Sequence, residues 1–371
     1  MPLYLNDDQT MLRETARGFM AEEGAISKQL RHWRDKGCPD GFGHGLWKQF
    51  AELGFTGILI GEEDGGLGLG HVEAGIVLEE IGRNLTPSPF LVTAVAVVEA
   101  LKGSGQRERW YPGILSGDTV AALAVDEGPK HRPEAIAMKA ERAGNGFRLS
   151  GRKQFVVQGA SADLIVVAAQ AEEGLTLFAV EKGARGLDVD GVRLADASIG
   201  ARMTFDGVEV DADAVIGEVG AGESVLSRAL GAARAGAASE MVGVAAGAMD
   251  MTVDYLRQRK QFGKLIGEFQ SLQFRAAHLY SELEIARAAA LKAQQLLDEG
   301  SEEAEAMVSV AKAKAGRVST LAVQEGVQMH GGIGMTDEYD IGLYMKRDRV
   351  LNEMFGDPAY HADKLARMKG Y

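Results

Sequence analysis

Two stretches of the 371-residue chain carry donors, rings and glycines at spacings that suit a flat or phosphorylated ligand. The first is Arg257-Gln258-Arg259-Lys260-Gln261-Phe262-Gly263-Lys264, followed by Phe269-Gln270, at the end of an expected helix. Arg259 can fork onto a pyrophosphate and Gln261 can donate beside it, while Phe262 can lie against an aromatic ring. The same residues also fit a basic helix terminus that complements the helix dipole. The second stretch is Gln328-Met329-His330-Gly331-Gly332-Ile333-Gly334-Met335-Thr336. Its glycines let the backbone press against a ligand, and they equally fit a helix C-cap followed by a turn.

Other patterns lead elsewhere. Gly66-Leu67-Gly68-Leu69-Gly70 has its third glycine one residue early for a dinucleotide fingerprint and no strand before it, so it reads as a turn between helices. Gly146 to Gly151 has the glycine spacing of a phosphate loop, but Arg152-Lys153 replaces the Lys and Ser/Thr such a loop needs. The seven histidines form no pair at metal-ligand spacing. No serine sits in a nucleophile elbow.

The elements that must position these stretches follow from hydrophobic periodicity. Residues 6 to 115 read as helical, with Asn6 or Asp7 as a cap and Leu12, Ala16, Phe19 and Met20 at helical spacing. Short apolar runs at Phe155-Val156-Val157, Leu164 to Ala169 and Leu175 to Val180 read as strands. From 221 onward the pattern is helical again. Ala232 to Gln258 is rich in Ala and Gly, which lets neighbouring helices approach closely. The expected class is α+β, with a helical domain over 1–117, a β domain over 118–218 and a helix-bundle domain over 219–371.

The net charge of −13 argues against a nucleic-acid partner, which needs a clustered basic face. Cys38 is the single cysteine, so no internal disulfide forms, as suits a reducing cytoplasm. Met1 to Thr10 is polar and lacks the apolar core of a signal peptide. The best apolar run, Leu91 to Val98, stops at Glu99, far short of a membrane span.

In their order and spacing the two ligand-type stretches resemble the acyl-CoA dehydrogenase family. The resemblance extends to Leu53-Gly54-Phe55, Glu62-Glu63-Asp64-Gly65-Gly66-Leu67-Gly68, Glu79-Glu80-Ile81-Gly82-Arg83, Gly151-Arg152-Lys153-Gln154-Phe155 and Ala162-Asp163, nearly the whole chain. It implies an N-terminal helical domain, a middle β-barrel or sandwich, a C-terminal four-helix bundle, bound FAD and a tetramer. It implies removal of the proton alpha to an acyl-CoA thioester, hydride transfer from the β carbon to the flavin and a trans-2-enoyl-CoA product. An electron-transfer flavoprotein then takes the electrons. By similarity, Arg259, Gln261, Phe262 and Gln270 grip FAD, and Gln328, Gly331 and Gly332 grip its adenosine diphosphate half. In homotetrameric members these groups reach the FAD of a neighbouring subunit.

The sequence departs from the family at the base. Nine residues after Arg347, where most members have glutamate, stands Gly356; twenty-six residues before Arg259, where a second branch has it, stands Ala233. Asp357 is the nearest substitute, and it also fits a turn with Pro358. The flavin-lining segment departs too: Asp126-Glu127-Gly128-Pro129-Lys130-His131-Arg132-Pro133 lacks the family's serine-bearing turn, and Phe155-Val156-Val157 replaces its Trp-Ile-Thr. Three readings follow. The chain is a homotetrameric dehydrogenase using Asp357, a partner subunit of an α2β2 enzyme whose sister chain supplies the base, or an oxidase. His330 to Glu338 and Phe355-Gly356-Asp357 resemble small subunits of pimeloyl-CoA dehydrogenases and partner subunits acting on steroid side-chain CoA esters.

Overall fold

The computed structural model describes residues 3–371; Met1 and Pro2, the start of the polar stretch Met1 to Thr10, lie outside it. The chain runs through helices α1 (Asp7–Glu22), α2 (Leu30–Asp35), α3 (His44–Glu52) and α4 (His71–Asn84). A π-helical stretch, Leu91–Val97, continues into α5 (Val98–Leu101), and α6 (Gln106–Leu115) follows. Eight strands come next: β1 (Ala121–Ala124), β2 (Lys139–Ala143), β3 (Gly146–Val157), β4 (Leu164–Ala171), β5 (Gly174–Glu181), β6 (Leu187–Arg193), β7 (Ile199–Val210) and β8 (Val215–Ile216). Helix α7 (Gly222–Gln258) leads to β9 (Lys260–Gln261) and β10 (Lys264–Leu265), then to α8 (Gln270–Asp298), α9 (Ala304–His330), α10 (Ile341–Glu353) and α11 (Pro358–Met368). Helices thus flank a mixed sheet in the sequence, as the α+β reading expects.

Contacts group the chain into two compact units: one of residues up to Arg31, His71–Thr86 and Arg234–Tyr371, the other of His32–Gly70 and Pro87–Ala233. In the first, Asn6 caps α1 in a reciprocal box with Gln9, at 2.8 and 3.0 Å. Helices α4 and α7 cross backbone to backbone. A Cβ on Gly243 would collide with the Glu79 carbonyl oxygen, so only glycine permits the crossing. This is the close approach that the Ala/Gly-rich pattern predicts. Beside it the buried Glu80 carboxylate accepts from Arg17 at 2.8 Å.

In the second unit the sheet runs β6-β7-β3-β2-β4-β5-β8, with β1 parallel to β4. The two twelve-residue strands β3 and β7 pair with each other. Two register shifts in β3, between Leu149 and Gly151 and between Lys153 and Val156, bend it. Phe155 sits in the second shift at φ 52°. The π-helical stretch is tied to β1 by Thr93, whose hydroxyl accepts the Ala121 N–H at 2.9 Å and donates to the Ala121 carbonyl at 3.0 Å. Among the described residues no helix is long and apolar enough to cross a membrane.

Candidate functional site

Helix α7 stops at Gln258, and the basic stretch beyond it folds into a two-stranded hairpin. Gln261 pairs with Lys264 and Lys260 with Leu265, leaving Phe262 (φ 52°) and Gly263 (φ 80°) as the turn. Two successive left-handed residues match the twist of a tight hairpin. The sequence hides this turn, because Phe stands where Asn or Asp usually signals it. Phe262 is 91% exposed, touching only the edge of Phe269 at 6.3 Å among the aromatic rings. A large ring held in water by a strained turn suits a surface that something else covers.

Arg259 has a fixed backbone and a free head. Its N–H donates to Tyr255 at 2.9 Å and its carbonyl accepts from Ile266 at 2.9 Å. Its side chain is exposed and has no acid partner among the described residues. Gln261 and Gln270 are exposed as well. Helix α9 ends at His330 with Gly331 as its C-cap, and Gln328, Gly331 and Gly332 are all exposed. A Cβ on Gly331 or Gly332 would meet nothing within 4 Å, so the backbone there faces open space. Leu256, Ile266 and Met329 form one apolar cluster, with Tyr255, Phe269 and Leu272 against it. That cluster brings the hairpin and the glycine turn together. Donors, an unpaired guanidinium, a bare ring and open backbone on one apolar base fit an aromatic diphosphate such as the adenosine diphosphate half of FAD.

The places expected for a base are built differently. Gly356, between α10 and α11, is buried at φ 104°. A Cβ there would collide with Cδ1 of Tyr360 and lie 2.9 Å from Nε2 of His361. Two basic side chains hold the surrounding carbonyls. Lys312, fully buried, donates its Nζ to Leu351 and to Gly356, at 3.0 Å each. Arg234 donates Nε to the Phe355 carbonyl at 3.1 Å and Nη2 to the Tyr360 hydroxyl at 3.2 Å, with its guanidinium 5.5 Å over that ring. Burial, and then the Arg234 charge, push the Lys312 ammonium down to about 7. A neutral amine has two N–H groups, one for each carbonyl. Ala233 is fully buried.

Asp357 is the N-cap of α11. Its carboxylate accepts the Tyr360 N–H at 2.8 Å and Pro358 takes the first helical position. Asp357→Ala is therefore expected to lower stability by about 1 kcal/mol and to leave turnover by the native assembly unchanged, as chemical unfolding and steady-state rates will show. Arg347 is also engaged, donating to Glu240 at 2.8 and 2.6 Å. Asp348 accepts from Thr320 at 3.0 Å and Asn352 at 2.8 Å, and burial raises its carboxyl above the ordinary range.

In the second unit, the segment 126–138 draws Asp126, Glu127 and His131 inward and leaves Lys130, Arg132 and Glu134 exposed. Glu127 accepts the N–H groups of Ala137 and Met138 at 2.9 and 3.0 Å and the Lys153 ammonium at 2.7 Å. Burial alone would raise the Glu127 carboxyl, but Lys153 and the two N–H groups hold it below its usual value. Asp126 accepts from the Arg132 N–H at 3.1 Å and lies 2.9 Å from His131 Nδ1. Phe155 is half-buried on the bulge and belongs to this unit, whereas the hairpin and glycine turn belong to the other.

Known proteins resemble the chain over most of its length. The sequence profile described as "Acyl-CoA dehydrogenase, C-terminal domain" matches residues 220–369, and "Acyl-CoA dehydrogenase, N-terminal domain" matches residues 6–118. The mitochondrial isovaleryl-CoA dehydrogenase of Solanum tuberosum is 30% identical over 370 residues, covering 95% of this chain and 88% of its own. Cyclohex-1-ene-1-carbonyl-CoA dehydrogenase of Geobacter metallireducens is 32% identical over 326 residues, covering 82% of this chain and 84% of its own. Among solved structures, a variant of the Tcur3481-Tcur3483 steroid ACAD superposes with a TM-score of 0.90 at 27% identity, over 98% of both chains.

Proposed function

The chain belongs to the acyl-CoA dehydrogenase family, FAD-dependent oxidoreductases acting on CH–CH donors, and from that premise we propose that it is the subunit that completes a FAD site without supplying the base. The assembly desaturates an acyl-CoA thioester to a trans-2-enoyl-CoA, as an α2β2 pair with a sister chain that carries the glutamate. The carrying observation is Gly356, whose missing Cβ is replaced in space by the Tyr360 ring and whose carbonyl is held by Lys312. The double name of the 27%-identical steroid ACAD supports a two-component assembly.

FAD, when bound, supplies the acceptor for the hydride that leaves the β carbon. This chain's part is to hold and orient. Arg259 neutralises the pyrophosphate, Gln261, Gln270 and Gln328 donate beside it, Phe262 covers an aromatic face, and the Gly331-Gly332 backbone admits close approach. Neither Asp357, committed to a helix cap, nor any group at Gly356 or Ala233 takes the alpha proton; the sister chain's glutamate does so. The acyl group enters on the sister's side, and an electron-transfer flavoprotein reoxidises the assembly.

Restoring the family's residue tests this directly. Gly356→Glu is expected to destabilise the chain by about 3 kcal/mol, from strain at positive φ and from the collision with Tyr360. It is expected to confer no dehydrogenation on the chain alone, assayed by anaerobic bleaching of flavin with acyl-CoA thioesters. A stable, active Gly356→Glu chain, or loss of turnover in Asp357→Ala, contradicts the reading. Oxygen consumption matching substrate turnover would replace the dehydrogenase by an oxidase.

A further inference from the structure

His330 stands at the junction of the two cofactor-gripping segments and has no role yet. Its side chain is only 3% exposed. Nδ1 lies 2.7 Å from the Gly326 carbonyl, which only accepts, so Nδ1 carries the proton. Nε2 is then a lone-pair acceptor, buried and without a hydrogen-bond partner among the described residues. An unmatched buried acceptor destabilises a fold, and an aliphatic residue would avoid it. Burial also holds the imidazole below its ordinary pKa, against the opposing pull of the Gly326 bond. Something else therefore favours a flat ring at this position.

The surroundings show what the ring does. It stacks on Tyr255 with centroids 4.5 Å apart and planes 27° apart, and it meets Tyr339 at 4.9 Å. Tyr255 and Tyr339 contact each other edge-on at 6.1 Å. Each ring is anchored to a different part of the site. Tyr255 accepts the Arg259 N–H through its carbonyl, so its placement sets where the hairpin leaves α7. Tyr339 precedes Asp340, which pairs with Arg31 at 2.6 Å and closes the far end of the glycine turn. His330 itself is the last residue before Gly331.

We infer that His330 is a positioning residue whose stack on Tyr255 fixes the Gly331-Gly332 backbone relative to the Arg259 hairpin, so that both grip one nucleoside diphosphate. This rests on the proposed function. The ring touches neither phosphate nor base; it sets the spacing between the groups that do. The stack carries the effect, and the Gly326 hydrogen bond is secondary to it.

Two kinds of variant separate these contributions. His330→Asn keeps a donor for the Gly326 carbonyl and removes the ring. His330→Phe keeps the ring and removes both nitrogens. The native assembly is titrated with ADP and with FAD by calorimetry, with melting temperatures recorded alongside. His330→Phe and Tyr255→Phe are expected to bind both within about threefold of the wild type, and His330→Asn and Tyr255→Leu about tenfold more weakly. The double variant Tyr255→Leu/His330→Asn is expected to lose no more than either single change, because the two act through one contact. Wild-type affinity in His330→Asn overturns the inference, as do multiplying losses in the double variant. Weak binding by His330→Phe at an unchanged melting temperature does so as well. A wild-type assembly that binds neither ADP nor FAD removes the proposed function itself, an outcome distinct from any of these.

Discussion

Arg259→Glu should strip flavin from the native assembly, weakening FAD at least a hundredfold, while the melting temperature of the flavin-free protein stays within about 1 °C of wild type. The effect is electrostatic. The Arg259 guanidinium is exposed and without an acid partner among the described residues, so no interaction within the fold depends on its charge. A charge-assisted hydrogen bond contributes about 1.5–3 kcal/mol, or roughly ten- to a hundredfold in affinity. Reversing the charge adds repulsion against a pyrophosphate. Arg185→Glu, an exposed arginine on the other unit, is the matched control and should change flavin affinity little. Equal flavin retention by the two variants would mean that the hairpin grips no phosphate.

The second large effect concerns stability and its pH dependence. Lys312→Met should destabilise the chain by about 2–4 kcal/mol, because two buried carbonyls lose their donor together. The wild-type curve should also rise more steeply with pH than the variant's. Unfolded, Lys312 keeps its proton up to about its ordinary 10.5; folded, burial and Arg234 release it near 7. Across that window the unfolded chain binds the extra proton, so raising the pH favours the fold. Below about pH 7 the charged amine is buried at full penalty. The gap between wild type and Lys312→Met should therefore be narrow at pH 6 and widest near pH 10, in urea unfolding at fixed temperature. A gap independent of pH would show that Lys312 stays charged in the fold.

Much of this was legible in the sequence because it rests on local patterns. A cap at Asn6 or Asp7, the helices of the first and last thirds, strand runs at 164–169 and 175–180, and the close helix crossing in the Ala/Gly-rich stretch all follow from period and composition. The family resemblance was legible too, through Arg259 to Gln270 and Gln328 to Gly332, whose residue types tolerate little substitution if they are to bind a diphosphate. Other features depend on contacts between distant residues, to which local pattern is blind. The hairpin turn at Phe262-Gly263 lacks its usual turn residues. Lys312 reads as one more lysine on an amphipathic helix until α10 and α11 bury it. The stack of His330 on Tyr255 joins residues seventy-five positions apart. The absence of a glutamate at Gly356 was visible in the sequence, but not that Tyr360 and His361 leave no room for one.

One measurement bears most directly on the central claim: FAD per polypeptide, with mass from light scattering, for this chain purified alone and after co-expression with a glutamate-bearing sister chain. The account predicts flavin-free protein alone and about one FAD for each pair of unlike chains in an α2β2 assembly. A homotetramer holding about one FAD per chain would contradict it and return Asp357 to consideration as the base.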